Sequence, residues 1–109
     1  MLARFVGSFW WTAVFLVACS AASAQDAETL GKRGKQLFTD QGCYGCHMIE
    51  KYGTPIAPDL SHVGAKYDRA YLLRWLRDPS AQKPTAHMPK IALGAGDAEA
   101  LAAYLASLH

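Results

Sequence analysis

A stripe of apolar residues with helical spacing predicts a first helix over residues 26–40. The stripe consists of four residues, Leu30, Gly34, Leu37 and Phe38. Positions three or four residues apart share one face of a helix, so this stripe can be buried while the charged residues between them face water. Gly42 is expected to end the helix, since glycine commonly follows the last helical turn.

Two further helices are predicted in the second half of the chain. Asp68 is a suitable N-cap for a helix that stops before Pro79. The apolar face of this helix comprises Tyr71, Leu72, Trp75 and Leu76. Asp97 is expected to cap a final helix. Its apolar positions are Leu101, Tyr104, Leu105 and Leu108.

The segments between these helices are rich in proline and glycine and lack helical periodicity. Residues 48–66 and 79–96 therefore read as long loops, and no strand alternation is apparent. Loops longer than about 12 to 15 residues are uncommon in compact domains unless they have a function. The pattern predicts an all-α fold of three or more helices. The long loops that join them are expected to be ordered by wrapping around a bound group.

The first 24 residues have the composition of an export signal. Arg4 is the only charge, residues 5–18 are almost wholly apolar, and Ala22-Ser23-Ala24 offers a cleavage site. An uncleaved membrane anchor is the alternative, but the apolar stretch is shorter than the about 20 residues that a spanning helix needs. The sequence before Cys19 also resembles a bacterial lipobox, which would make residues 1–18 a lipoprotein signal and tether the protein through a lipidated Cys19.

Composition and charge narrow the function of the remaining domain, residues 25–109. The chain has 11 Lys and Arg against 9 Asp and Glu, which gives no support to nucleic-acid binding. Of the 3 cysteines, Cys19 belongs to the leader, so the domain keeps only Cys43 and Cys46. A domain this small is marginally stable, and a bound cofactor is the expected source of additional core.

The segment Cys43-Tyr-Gly-Cys46-His47 predicts the covalent attachment of one haem. Two thiols one helical turn apart can bond both vinyl groups, and the imidazole that follows can then reach the iron. A structural zinc site would need four ligands, and the other histidines show no paired spacing. A thioredoxin-like redox pair would need a βαβ frame, which the pattern lacks.

Met88 is the predicted second axial ligand of the iron. It lies in the second long loop, and Pro89 restricts its backbone to extended angles. Met48 directly follows His47 and is confined to the same side of the ring. His62 reads better as a loop histidine, and His87 is a weaker alternative ligand beside Met88.

Taken together, these residues resemble the class I c-type cytochromes over about residues 27–108. That resemblance implies the cytochrome c fold, with Gly34 and Phe38 on the first helix crossing Leu101 and Tyr104 on the last. It also implies that the carbonyl of Pro58 accepts a hydrogen bond from the His47 ring. The other implied residues of the haem pocket are Leu60, Trp75 and Pro89.

The function implied is one-electron transfer in the bacterial periplasm rather than enzymatic catalysis. The expected partners are redox proteins: a membrane oxidase, a reductase or a periplasmic dehydrogenase. Segments 71–79 and 87–89 also resemble haem domains that accompany bacterial terminal oxidases and denitrification reductases. The alternatives are a haem subunit of a larger respiratory complex, or a haem enzyme or gas sensor with an open iron site. The protein would be a monomer or a complex subunit.

Overall fold

Over residues 15–109 the chain forms helices joined by irregular segments, with one small hairpin. A computed structural model describes the backbone of residues 15–109, and their side chains from residue 23 onward. The helices are α1 (Phe15–Asp40), α2 (Val63–Lys66), α3 (Arg69–Arg77), α4 (Pro79–Gln82) and α5 (Ala95–Ala106). The strands are β1 (Met48–Ile49) and β2 (Tyr52–Gly53), and a 3-10 turn spans Cys43–Gly45. The predicted helical class is confirmed.

The first helix is longer than the sequence predicted, because it begins at Phe15 rather than near residue 26. Alanine is frequent in the added segment and no proline interrupts it, so helix propensity alone permits the extension. Residues 1–14 and the side chain of Cys19 lie outside the described residues, so the predictions of an export signal and of lipidation stay predictions. Over residues 15–109, no helix has the length and apolar character to cross a membrane.

The core is built where α1 crosses α5. Gly34 is buried at the crossing, and a Cβ atom placed there would lie 2.6 Å from the Cβ of Tyr104. Phe38 and Leu101 are almost fully buried beside it. The ring of Phe38 meets that of Tyr104 edge-on, with centroids 6.1 Å apart. Gly34 and Phe38 of α1 therefore both approach Tyr104 of α5, and Leu101 is buried in the same core.

The third helix packs on α5 from another side. Its N-terminus is capped as predicted, since the side chain of Asp68 accepts a hydrogen bond of 2.8 Å from the amide of Tyr71. Leu72 and Leu76 are buried in the shared core. Arg69 also forms an ion pair of 3.0 Å with Glu99 of α5. Helix α3 is thus held at a fixed position beside the crossing.

Asp97 does not cap the last helix, contrary to the prediction. The N-cap is Gly94, and Asp97 lies in the first turn of α5. A carboxylate is favourable there because it faces the positive end of the helix dipole. It also forms an ion pair with Arg33 of α1, so Asp97 joins the two crossing helices.

The two long loops contain more regular structure than predicted. In the first, β1 and β2 pair antiparallel, with Met48 opposite Gly53 and Ile49 opposite Tyr52, and α2 follows. In the second, Asp78 caps α4 by accepting a hydrogen bond of 3.3 Å from the amide of Ala81. Strands of two residues are too short to give a detectable alternation.

Candidate cofactor site

One turn of backbone brings the two thiols and the imidazole together at the end of α1. Gly42 has a φ of 73°, a left-handed conformation that favours glycine and turns the chain out of the helix. The amide of His47 then donates to the carbonyl of Cys43 over 2.9 Å, and that of Cys46 donates to the same carbonyl over 3.2 Å. The spacing of the motif is therefore fixed by local hydrogen bonds.

Both sulfurs of this turn are free thiols, and they differ in environment. Cys46 is exposed, whereas Cys43 is half-buried. Burial raises the pKa of the Cys43 thiol above its ordinary 9.0. A backbone hydrogen bond of Cys43 lowers the pKa by less, and the nearby Cys46 adds a still smaller rise. Neither sulfur is paired in a disulfide, so both are available to form thioethers by addition across a carbon–carbon double bond.

The imidazole of His47 is oriented by the loop that follows the hairpin. Its Nδ1 atom lies 2.7 Å from the carbonyl oxygen of Pro58. A carbonyl oxygen can only accept, so Nδ1 carries the proton and Nε2 keeps its lone pair, which is the form that binds a metal. This is the contact that the resemblance implied for Pro58.

Two backbone hydrogen bonds fix this loop against the motif. The amide of Ala57 donates to the carbonyl of Cys46 over 2.7 Å. The amide of Leu60 donates to the carbonyl of Met48 over 2.9 Å. Because both bonds flank Pro58, its carbonyl is held in place at the His47 ring.

Met88, in the loop after α4, lies next to Trp75 of α3. The indole Nε1 of Trp75 is 3.2 Å from the sulfur of Met88, and this contact is half-buried. Met88 and Leu60 both pack against the core. Pro89 is exposed, so its contribution is to restrict the backbone next to Met88 rather than to line a pocket. His87 and His62 are also exposed.

The sequence reasoning placed Tyr71 on the apolar face of its helix, but it missed the role of Tyr44 and the stacking of Tyr71. Tyr44, inside the motif, packs edge-on against Phe38 with centroids 4.6 Å apart. Tyr71 of α3 stacks between Trp75 of the same helix and Tyr67, which precedes the N-cap Asp68. The spacing of Tyr67, Tyr71 and Trp75, four residues apart, was the available signal.

Among the side chains that the structure describes, from residue 23 onward, no group of three or more His, Cys, Asp or Glu is arranged to hold a metal ion. The residues of the motif fit a covalently attached haem, with two thiols one turn apart and an imidazole whose Nε2 is free to bind iron.

Comparisons with known proteins agree with this assignment. The chain is 35% identical over 98 residues to the cytochrome c oxidase subunit 2 of Alkalihalophilus pseudofirmus. The match covers 82% of this chain but 29% of that protein. No solved structure matches significantly. The family model described as Cytochrome c matches residues 31–109, well over half of the sequence. The chain therefore belongs to the cytochrome c family, whose members bind haem covalently and carry electrons.

Proposed function

We propose that this protein is a one-electron carrier in the bacterial periplasm, with His47 and Met88 as the axial ligands of a single haem attached through Cys43 and Cys46. The observation that carries the proposal is the orientation of His47, whose Nδ1 is engaged by Pro58 over 2.7 Å. An imidazole held in that tautomer presents Nε2 as a ligand without further rearrangement.

A haem supplies reversible one-electron chemistry, and the residues decide what else it can do. If His47 and the thioether of Met88 both bound the iron, the two axial positions would be filled. No position on the iron would then be left for a substrate. The thioether and an apolar surrounding favour the ferrous state, so we expect a positive reduction potential. The role of the protein would then be to hold the electron and present it to a partner.

The proposed partners are redox proteins of a respiratory chain. Four lysines between α1 and α5 are exposed: Lys51, Lys66, Lys83 and Lys90. They would attract an acidic patch on a partner, and the association rate should then fall as salt is added. The Alkalihalophilus relative is named as an oxidase subunit, which favours a terminal oxidase among the partners.

A second candidate function is that of a haem subunit within a larger respiratory complex. The same relative supports it, although this chain spans less than a third of that protein. Both functions use the same site, and copurification with other subunits would separate them. The intact mass of the protein purified from the periplasm and from membranes would distinguish cleavage after Ala24 from lipidation at Cys19.

The axial assignment is tested with two methionine variants of the haem-loaded protein. Met88→Leu should lose the far-red sulfur-to-iron band of the oxidised protein, and its reduced form should bind carbon monoxide. Met48→Leu is the matched control, because Met48 lies beside His47 in the hairpin, and it should retain the band and resist carbon monoxide.

Two results would contradict the proposal. A Met88→Leu variant that kept the far-red band would show that another residue is the ligand, with His87 as the next candidate. A parent protein whose reduced spectrum shifted with carbon monoxide would have an open or easily displaced position. Catalysis or gas sensing would then replace simple electron transfer.

A further inference from the structure

The short helix α2 rests directly on the backbone at the end of α5. A Cβ atom on Gly64 would lie 2.7 Å from the carbonyl carbon of Ala106 and 2.8 Å from the carbonyl oxygen of Leu108. The amide of Gly64 donates a hydrogen bond of 2.7 Å to that oxygen. A side chain at position 64 would separate the two backbones, so a glycine is what allows α2 to lie this close to α5.

The residues that follow α5 are held by hydrogen bonds of their own. The amide of Ser107 donates to the carbonyl of Tyr104 over 3.0 Å, and that of Leu108 donates to the carbonyl of Leu105 over 3.1 Å. The side chain of Leu108 also packs against the core. The acceptor of the Gly64 amide is therefore fixed in position. We refer to residues 106–108 as the anchor of α2.

A segment of seven residues connects this anchor to the ring of His47. At its start, the carbonyl of Pro58 lies 2.7 Å from Nδ1 of His47. At its end, Gly64 bonds to the anchor, and Val63 beside it is buried in the core. We refer to residues 58–64 as the bridging segment. Because the segment is short and held at both ends, a displacement at Gly64 is transmitted toward Pro58.

The remaining contacts of the bridging segment are made to the hairpin that follows His47. The amide of Leu60 donates to the carbonyl of Met48 over 2.9 Å. The amide of Glu50 donates to the hydroxyl of Ser61 over 2.6 Å. These bonds join the segment to its neighbour in sequence, whereas the anchor joins it to α5. The anchor is thus the contact that sets the bridging segment against the last helix.

We propose that the anchor is a positioning device for His47 that acts through the bridging segment. Backbone contact at Gly64 holds α2 on α5, and the segment in turn holds the Pro58 carbonyl at Nδ1. The inference rests on the proposed ligation of iron by His47. A weaker hydrogen bond at Nδ1 makes the imidazole a poorer donor to iron, which disfavours the ferric state. Gly64 and Leu108 therefore influence the haem from outside the predicted site.

The device is tested with two pairs of variants of the haem-loaded protein. Gly64→Ala places a methyl group against the anchor. Its control is Gly96→Ala, because no atom lies within 4 Å of a Cβ on that exposed glycine of α5. Leu108→Ala loosens the anchor without adding an atom, and it replaces Gly64→Ala if that variant does not fold. Its control is Leu30→Ala, since Leu30 of α1 is also half-buried against the core.

The readouts are the reduction potential, the NMR chemical shift of the His47 Nδ1 proton, and the far-red sulfur-to-iron band. Gly64→Ala should move the Nδ1 proton upfield and raise the potential by roughly 18 to 59 mV. This corresponds to a two- to tenfold change in the ferrous-to-ferric equilibrium, at about 59 mV per tenfold. Leu108→Ala should move both readouts in the same direction by less. The far-red band should stay, because the bridging segment acts on His47, and both controls should keep the parental values.

An unchanged potential and Nδ1 shift in Gly64→Ala and Leu108→Ala would overturn the proposal, because a purely structural anchor would affect stability alone. Changes of equal size in the controls, or a lost far-red band, would also overturn it, since the disturbance would then be general. The ligation is tested apart from the anchor. In the reduced parent, the haem ring current should shift the carbon-bound ring protons of His47 strongly upfield. If it does not, His47 is not a ligand and this inference fails together with the proposed function. If it does, the variants decide on the anchor alone.

Discussion

Two glycines of α1 allow the helix crossing to be tested with a matched pair of substitutions. Gly31 has no atom within 4 Å of the position where a Cβ would lie. A Cβ on Gly34 would lie 2.6 Å from the Cβ of Tyr104 and 2.7 Å from the carbonyl carbon of Ala100. Real Cβ contacts are longer, and one of the two obstacles is backbone, so α1 and α5 would have to move apart.

The size of the effect follows from two opposing contributions. Replacing glycine by alanine within a helix gains about 0.8–1.0 kcal/mol from the unfolded chain and the helix propensity. Gly31→Ala should therefore stabilise the protein by about that amount. Gly34→Ala has the same gain, but overpacking a close contact costs about 1–3 kcal/mol, and a backbone obstacle places it near the upper limit. We expect Gly34→Ala to be about 3 kcal/mol less stable than Gly31→Ala.

The assay is urea unfolding of both haem-loaded variants, followed by far-ultraviolet circular dichroism. The expected difference corresponds to thermal midpoints about 10–25 °C apart for a domain of this size. The two variants share the helix and the substitution, so propensity cancels between them. If Gly34→Ala were as stable as Gly31→Ala, the close approach of α1 to Tyr104 and Ala100 would be refuted.

Three further predictions concern the cap of α3, the loop near the motif, and the core. Asp68→Ala should cost about 1 kcal/mol in the free energy of unfolding, because the amide of Tyr71 loses its partner, whereas Asp68→Asn should recover most of it. Hydrogen bonds from the hydroxyl and amide of Ser61 hold the pKa of Asp59 below its ordinary 3.8. The ionised carboxylate therefore stabilises the fold at pH values above 3.8. This stabilisation is lost as the pH falls through the lowered pKa. Asp59→Asn should therefore lose less stability than the parent between about pH 5 and about pH 2, measured by urea titrations at each pH, and equal losses would contradict this. Phe38→Ala should cost about 3–5 kcal/mol in the same assay, since the ring is only 1% exposed, and a cost below about 1 kcal/mol would contradict its place in the core.

The sequence predicted helix boundaries best where a side chain marks them. The sequence predicted that α3 begins after Asp68 and ends before Pro79, and the structure agrees. Both signals are local, because the Asp68 side chain caps the first turn and proline has no backbone N–H to continue the helix. The predicted start of α5 was wrong. Its N-cap is Gly94, which has no side chain that could form a capping hydrogen bond and so mark the boundary in the sequence. The hairpin was missed because two residues per strand cannot establish an alternation.

In the candidate site, too, the sequence predicted the local contacts better than the contacts between distant segments. The turn from Cys43 to His47 follows from residue spacing, and the Pro58 contact came through the resemblance. The contact between Trp75 and Met88 depends on how the loop after α4 returns to α3, which no periodicity records. Ligation by Met88 stays a prediction until the variants are measured.

The crossing of α1 and α5 also bears on the order of events during synthesis. Arg33 and Asp97, which join the two helices, are 64 residues apart in sequence. Closing so long a loop lowers the conformational entropy of the chain before the contact can stabilise it. Contacts between residues this far apart in sequence therefore slow folding. A chain made from its N-terminus cannot complete this core until α5 has been synthesised. Cys43 and Cys46 thus remain accessible on an open chain during that interval, whereas the folded domain half-buries Cys43.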